Sequence, residues 1–140
     1  LENKEKVVMD RISQLESSIA YAEERVKRGE RVLALYDNTD FNEIVVKGYL
    51  EQEAIRMVGL YGSGSGSPEQ LKELEKDMHG IGAFRRFLVQ LVQEGRQAKS
   101  DLEANKEALQ EELAMEAEAR ANNEEPALPF DADYNGSLGA

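Results

Sequence analysis

Residues 8–36 read VMDRISQLESSIAYAEERVKRGERVLALY, and this stretch decides the fold. Val8, Ile12, Leu15, Ile19, Ala22, Val26, Gly29, Leu33 and Tyr36 follow one another at alternating spacings of 4 and 3. Apolar residues at that rhythm line one side of a helix and form a coiled-coil seam. Ile12, Ile19, Val26 and Leu33 take the a positions; Val8, Leu15, Ala22, Gly29 and Tyr36 take the d positions. Ala22 and Gly29 narrow the seam, so a partner helix can approach closely there. A helix over 3–36 is therefore predicted.

Working outward, Asp37-Asn38-Thr39 reads as a turn. Asp40 followed by Glu43 resembles an N-cap with an acidic residue three positions on, predicting a second helix over 41–60. Phe41, Ile44, Val45, Gly48, Ile55 and Val58 mark one face of it; Leu50, Ala54, Met57 and Tyr61 mark another. A helix apolar on two sides is expected to be sandwiched between neighbours.

Gly62-Ser63-Gly64-Ser65-Gly66 has the composition of a flexible linker. Ser67-Pro68-Glu69-Gln70 then places Ser at an N-cap, Pro at N1 and Gln at N3, a strong start for a third helix over 68–121. His79-Gly80-Ile81-Gly82 is its weak point, and a bend or break is expected at 80–82. Phe84, Leu88, Leu91, Gly95, Ala98, Leu102, Asn105 and Leu109 resume the 4-and-3 rhythm.

Flanking charges bear on which helix pairs with which. In an antiparallel pair, the Arg11, Ser18, Arg25 row of the first helix meets Glu94 and Asp101 of the third. The Glu16, Glu23, Glu30, Asp37 row meets Lys99 and Lys106. With Gly29 opposite Gly95, every layer sets an a residue against a d residue, and Leu33 faces Leu91. A parallel dimer of the first helix is also favourable, through Arg11 with Glu16 and Arg25 with Glu30. Exposed pairs contribute only about 0.5 kcal/mol each, so charge alone does not rank the two. The intrachain pairing has the advantage of a high effective concentration.

The expectation is an all-α protein: a long antiparallel, coiled-coil-like helical hairpin with a shorter middle helix, forming one domain over 1–121. Residues 122–140 are polar, hold four acids and no base, and read as a disordered acidic tail. Past Leu109 the seam changes: Asn105 and Glu112 fall on seam positions, so Val8 and Ile12 opposite are expected to be poorly covered. They become candidate partner-binding residues and suggest a homo-oligomer through this end.

The 140 residues contain 28 acidic and 17 basic side chains, for a net charge of −11, with no cysteine and one histidine. Disulfides, thiol nucleophiles and cysteine metal sites are excluded. No basic stripe suits a phosphate backbone, so direct nucleic-acid binding is not expected. No run of about 18 apolar residues spans a membrane, and no secretory pattern opens the chain, so an internal context is the expectation. His79 alone cannot build a di-iron motif or a zinc-hydrolase motif. The linker lacks the Gly-Lys-Ser/Thr of a phosphate loop, and no Ser-His-Asp arrangement emerges. No catalytic, metal or cofactor residues are assigned. Glu111, Glu112, Glu116 and Glu118 form an acidic face that suits a basic partner or plain solvation. In the tail, Leu128, Phe130 and Tyr134 are apolar anchors of the kind that order on docking into a groove; an inert solubilising tail is the alternative.

Two blocks carry a resemblance. Phe41-Asn42-Glu43-Ile44-Val45-Val46-Lys47-Gly48-Tyr49 with Glu53-Ala54-Ile55-Arg56-Met57-Val58 is one; Ser67-Pro68-Glu69-Gln70 with Ile81-Gly82-Ala83-Phe84-Arg85-Arg86-Phe87-Leu88 is the other. Together they resemble a family of small, largely uncharacterised helical proteins encoded by tailed bacteriophages, often near structural and head-assembly genes. The resemblance covers about residues 5–120; the regular Gly-Ser linker departs from it, and it supplies no catalytic residues. It implies a phage protein acting in the cytoplasm of an infected bacterium or in the particle; taken with the long seams and the acidic tail, the expectation is a non-enzymatic protein that binds other phage proteins in virion assembly or as a structural accessory. The alternative is a phage-encoded inhibitor of a host factor, with the acidic face as a decoy for a nucleic-acid-binding protein.

Overall fold

The computed structural model describes residues 2–124; α4 continues through Asn122–Glu124, where the tail was expected to begin, and the readings on Leu128, Phe130, Tyr134 and the rest of the acidic tail lie outside the described residues. The described residues are helical except for Asn38 and the segment 63–67. Helix α1 spans Glu2–Asp37, a single turn α2 spans Thr39–Phe41, a π-helix spans Asn42–Glu53, α3 spans Ala54–Gly62 and α4 spans Pro68–Glu124. The chain divides into two compact units, Ala20–Leu102 and Leu1–Ile19 with Glu103–Ala140.

In the unit Ala20–Leu102, one long helix packs on another through glycine. A Cβ built on Gly29 lies 3.1 Å from Gly95 Cα and 3.1 Å from the Leu91 carbonyl oxygen; one built on Gly95 lies 3.1 Å from Gly29 Cα and 3.2 Å from the Arg25 carbonyl oxygen. Ala22 and Ala98 are buried close by in sequence, as the small-residue seam leads one to expect. The seam departs from its heptad at one place. Val32 is buried at 4% exposure while Leu33 stands out at 47%. A strict seven-residue repeat turns by about 20° per heptad on a straight helix. By the fourth heptad the side that is covered is set by the neighbouring elements rather than by the repeat.

The junction after α1 is built by two asparagines. Asn38 Oδ1 accepts from Phe41 N at 3.0 Å, capping α2, and Asn42 Nδ2 donates to the Tyr36 carbonyl at 3.0 Å, satisfying a carbonyl in the last turn of α1. The cap is thus Asn38, not Asp40; Asp40 lies within the first turn, where a negative charge suits the helix dipole. Tyr36 and Phe41 meet edge to face at 5.9 Å.

The middle segment is also not a uniform α-helix. Phe41, Val45 and Leu50 are spaced by 4 and then 5, and an α-helix would turn Phe41 away from Leu50. A π-helix bonds residues five apart instead of four, so its wider turn brings all three to the covered side: Phe41 and Val45 are half-buried and Leu50 is buried. Leu50, Met57 and Ile81 then form a core with Ala54, Leu74, Met78 and Phe84 packed on it. Tyr49 sits edge-on to Phe84 at 6.2 Å, and Arg85 Nη2 donates to the Leu50 carbonyl at 2.9 Å.

Gly64, at φ 68°, turns the chain between α3 and α4 in a region that only glycine adopts freely. The expected capping box closes α4: Gln70 N donates to Ser67 Oγ at 3.2 Å and Ser67 N donates to Gln70 Oε1 at 3.0 Å. Helix α4 passes through His79-Gly80-Ile81-Gly82 without the expected break. Burial of Ile81 with Met78 and Phe84 outweighs the roughly 1 kcal/mol that each glycine costs.

In the other unit, Ile12 is buried at 8% exposure and Val8 is half-buried, so the expectation that Ile12 is poorly covered is corrected. Glu112 is buried as well, at 9%, and Arg11 Nε holds its Oε1 at 3.1 Å. Arg11 therefore does not pair with the Glu94 and Asp101 row. Those carboxylates accept instead from Gln90 at 2.9 Å and Gln97 at 3.2 Å, four residues back on their own helix. Arg25, on the same α1 row, lies over the Tyr21 ring at 5.5 Å.

Candidate interaction surface

Helix α3 reads AIRMVGLYG and carries one charged residue, Arg56, in a chain that is 32% charged. Its Met57 and Ala54 serve the core described above. Ile55 and Val58, three residues apart and thus on one side of the helix, point outward at 72% and 61% exposure. Gly59 and Gly62 continue that side, and a Cβ on either meets nothing within 4 Å. An incoming side chain or backbone therefore finds apolar surface beside open glycine.

This corrects the expectation that the middle segment is sandwiched. One side is covered; on the other, Ile55 and Val58 of α3 and Ile44 of the π-helix remain exposed. The sequence carried the signal, a short helix apolar on two sides, but not which side the core would take. The π-turn decides that by bringing Phe41, Val45 and Leu50 together.

The surface is pinned at both ends by polar contacts. Arg56 Nε donates to Glu53 Oε2 at 3.0 Å, and a second guanidinium nitrogen bonds the other carboxylate oxygen. That hydrogen bond, with the charge behind it, holds the Glu53 carboxyl below its usual range and the Arg56 guanidinium above its own. Tyr61 OH donates to Glu75 Oε1 at 2.9 Å, tying α3 to α4, and the bonded carboxylate raises the phenol's pKa.

The acidic residues singled out in the sequence do not share one environment. Glu111 and Glu118 are exposed, Glu112 is buried against Arg11, and Glu116 is half-buried and accepts from Arg120 Nη2 at 2.8 Å. Among the described residues no group of three or more His, Asp or Glu is placed to hold a metal ion. His79 is exposed on α4. No helix among the described residues is long and apolar enough to cross a membrane.

No protein-family model matches the chain, and neither a curated protein nor a solved structure does.

Proposed function

We propose that the chain is a non-enzymatic protein-binding protein of a tailed bacteriophage, serving virion assembly or acting as a structural accessory, in the cytoplasm of the infected cell or in the particle. Within the unit Ala20–Leu102, α1 and α4 run as an antiparallel hairpin. Gly29 reaches Leu91 while Gly95 reaches Arg25, the reciprocal offsets of helices running in opposite directions. The observation that carries the binding reading is the outward side of α3, where Ile55 and Val58 stand in water on a nearly uncharged helix. Exposed apolar side chains gathered on one side of a helix, beside open glycines, support a protein-contact reading. The phage context rests on the resemblance of residues 41–58 and 67–88.

The acidic-decoy reading is less well supported. It needs a free carboxylate face, and two of its four members, Glu112 and Glu116, are already engaged by Arg11 and Arg120.

The test is co-sedimentation of the full chain with procapsids and with mature particles. The wild type is expected in at least one pellet, and Ile55→Asp with Val58→Asp is expected to weaken the binding constant roughly tenfold, about 1.4 kcal/mol, with helicity unchanged. Absence of the wild type from both pellets, or indifference of binding to the double substitution, counts against the proposal.

A further inference from the structure

The middle segment carries two apolar patterns that one helix cannot satisfy together. Phe41, Ile44, Gly48, Ile55 and Val58 are spaced by 3, 4, 7 and 3, and Val46, Leu50, Ala54, Met57 and Tyr61 by 4, 4, 3 and 4. Both are α-helical spacings. A continuous α-helix over 41–62 would therefore set the first group, with Val45 beside it, along the outward side and the second along the core side. The structure holds Asn42–Glu53 as a π-helix instead. Phe41 and Val45 are then half-buried on the side of Leu50, and Ile44 stands exposed at 70%. Twelve residues of π-helix are unusual, because π-turns mostly occur singly and often at functional sites.

Gly48 is the residue that admits the π register. A Cβ built on it lies 3.1 Å from the Glu43 carbonyl oxygen, five residues back, which is the acceptor position of a π-helix. That oxygen is main chain and cannot rotate aside.

We infer that residues 42–53 are a two-register helix, in which exchange from π to α carries Phe41, Ile44 and Val45 round to join Ile55 and Val58 on one continuous outward apolar side. Met57 and Ala54 in the core and the Tyr61–Glu75 hydrogen bond hold α3 in place, so the rotation falls on the residues before Leu50. Half-burial of Phe41 and Val45 favours the π register, as do the edge contacts of Tyr36 with Phe41 at 5.9 Å and Tyr49 with Phe84 at 6.2 Å. In the α register Val46 takes the covered side, so the core is not left open. A partner on the outward side meets more apolar surface in the α register, and such differential affinity is what shifts an equilibrium. That use of the exchange rests on the binding reading of α3 given above; the exchange itself does not.

Scalar couplings across backbone hydrogen bonds show by NMR which carbonyl each amide uses, with no partner present. In the wild type, amides of residues 47–53 are expected to couple to the carbonyl five residues back. Gly48→Ala should move them to the carbonyl four back and abolish the Tyr49–Phe84 ring contact in NOE spectra, since alanine meets the Glu43 oxygen only in the π register and favours the α-helix. Val45→Glu, which places a charge on the covered side only in the π register, should do the same. Gly80→Ala, whose Cβ meets nothing within 4 Å, should leave the pattern as it is. The inference is overturned if both variants fold and keep the five-residue pattern, or if the wild type already couples four residues back. Co-sedimentation is read separately: absence of the wild type from both pellets removes the binding reading without altering the acceptor pattern.

Discussion

Gly29 and Gly95 pack backbone on backbone: a Cβ on either residue comes within 3.1 Å of the other's Cα. Here the two long helices of the unit Ala20–Leu102 meet main chain to main chain. The contact also lies where α1 is otherwise weakest, since glycine within a helix costs up to about 1 kcal/mol relative to alanine.

Two effects of Gly29→Ala therefore oppose each other. Alanine improves helix propensity by up to about 1 kcal/mol, but its methyl meets main-chain atoms, which cannot rotate aside as a side chain can. Overpacking typically costs about 1–3 kcal/mol, so net destabilisation is expected for Gly29→Ala and Gly95→Ala in urea unfolding. Gly80→Ala, whose Cβ meets nothing within 4 Å, should be stabilising by up to about 1 kcal/mol. Equal effects at Gly29 and Gly80 are incompatible with the close approach.

The core of the middle segment is small, so each member should matter. Leu50→Ala or Met57→Ala removes a side chain buried against Ile81, and a loss of about 2–5 kcal/mol is expected from transfer and cavity terms together. Ile55→Ala, on the exposed side of the same segment, should change stability by no more than about 0.5 kcal/mol. Chemical denaturation of the three variants checks the assignment of sides.

Ser67→Ala removes the acceptor for the Gln70 amide, and about 1 kcal/mol of stability should go with it. Ser67→Asp keeps an acceptor and is expected to retain most of that contribution. A drop in Tm for alanine that aspartate does not share is the diagnostic pattern.

The Glu53–Arg56 pair predicts a pH effect with a definite sign. Folding lowers the Glu53 pKa, chiefly through the Arg56 hydrogen bond. The contribution to stability is therefore present above the unfolded carboxylate value, about 4.3, and is lost as pH falls through the lower folded value. Arg56 is exposed and Glu53 only half-buried, so the effect on unfolding is expected to be small. The direct measurement is the NMR titration of the Glu53 carboxyl carbon, whose midpoint should rise towards the ordinary glutamate value in Arg56→Gln.

Legibility followed the physics of each element. The 4-and-3 rhythm made α1 and the later part of α4 readable, because an amphipathic helix shows its covered side in the chemistry of every third and fourth residue. The Gly29–Gly95 approach followed from aligning small residues. Ser67-Pro68-Glu69-Gln70 was readable because a capping box is a local exchange of hydrogen bonds. The π-helix was hidden by reading 41–60 at an α period, although the 4-and-5 spacing of Phe41, Val45 and Leu50 carried the hint. The partner of Arg11 was misread because rows of charge were matched as lines, whereas Glu94 and Asp101 had glutamines within reach on their own helix.

By itself, the sequence determined that this chain is helical and where α4 begins, since these depend on residues close in sequence or on a repeat that needs no distant information; it offered Gly29 against Gly95 as one of two pairings. Tertiary packing decided which side of the middle segment is covered, that Val32 rather than Leu33 is buried, and that Glu112 finds Arg11. Those outcomes are set by competition for a limited covered area among segments far apart in the chain, and no local pattern records who wins it.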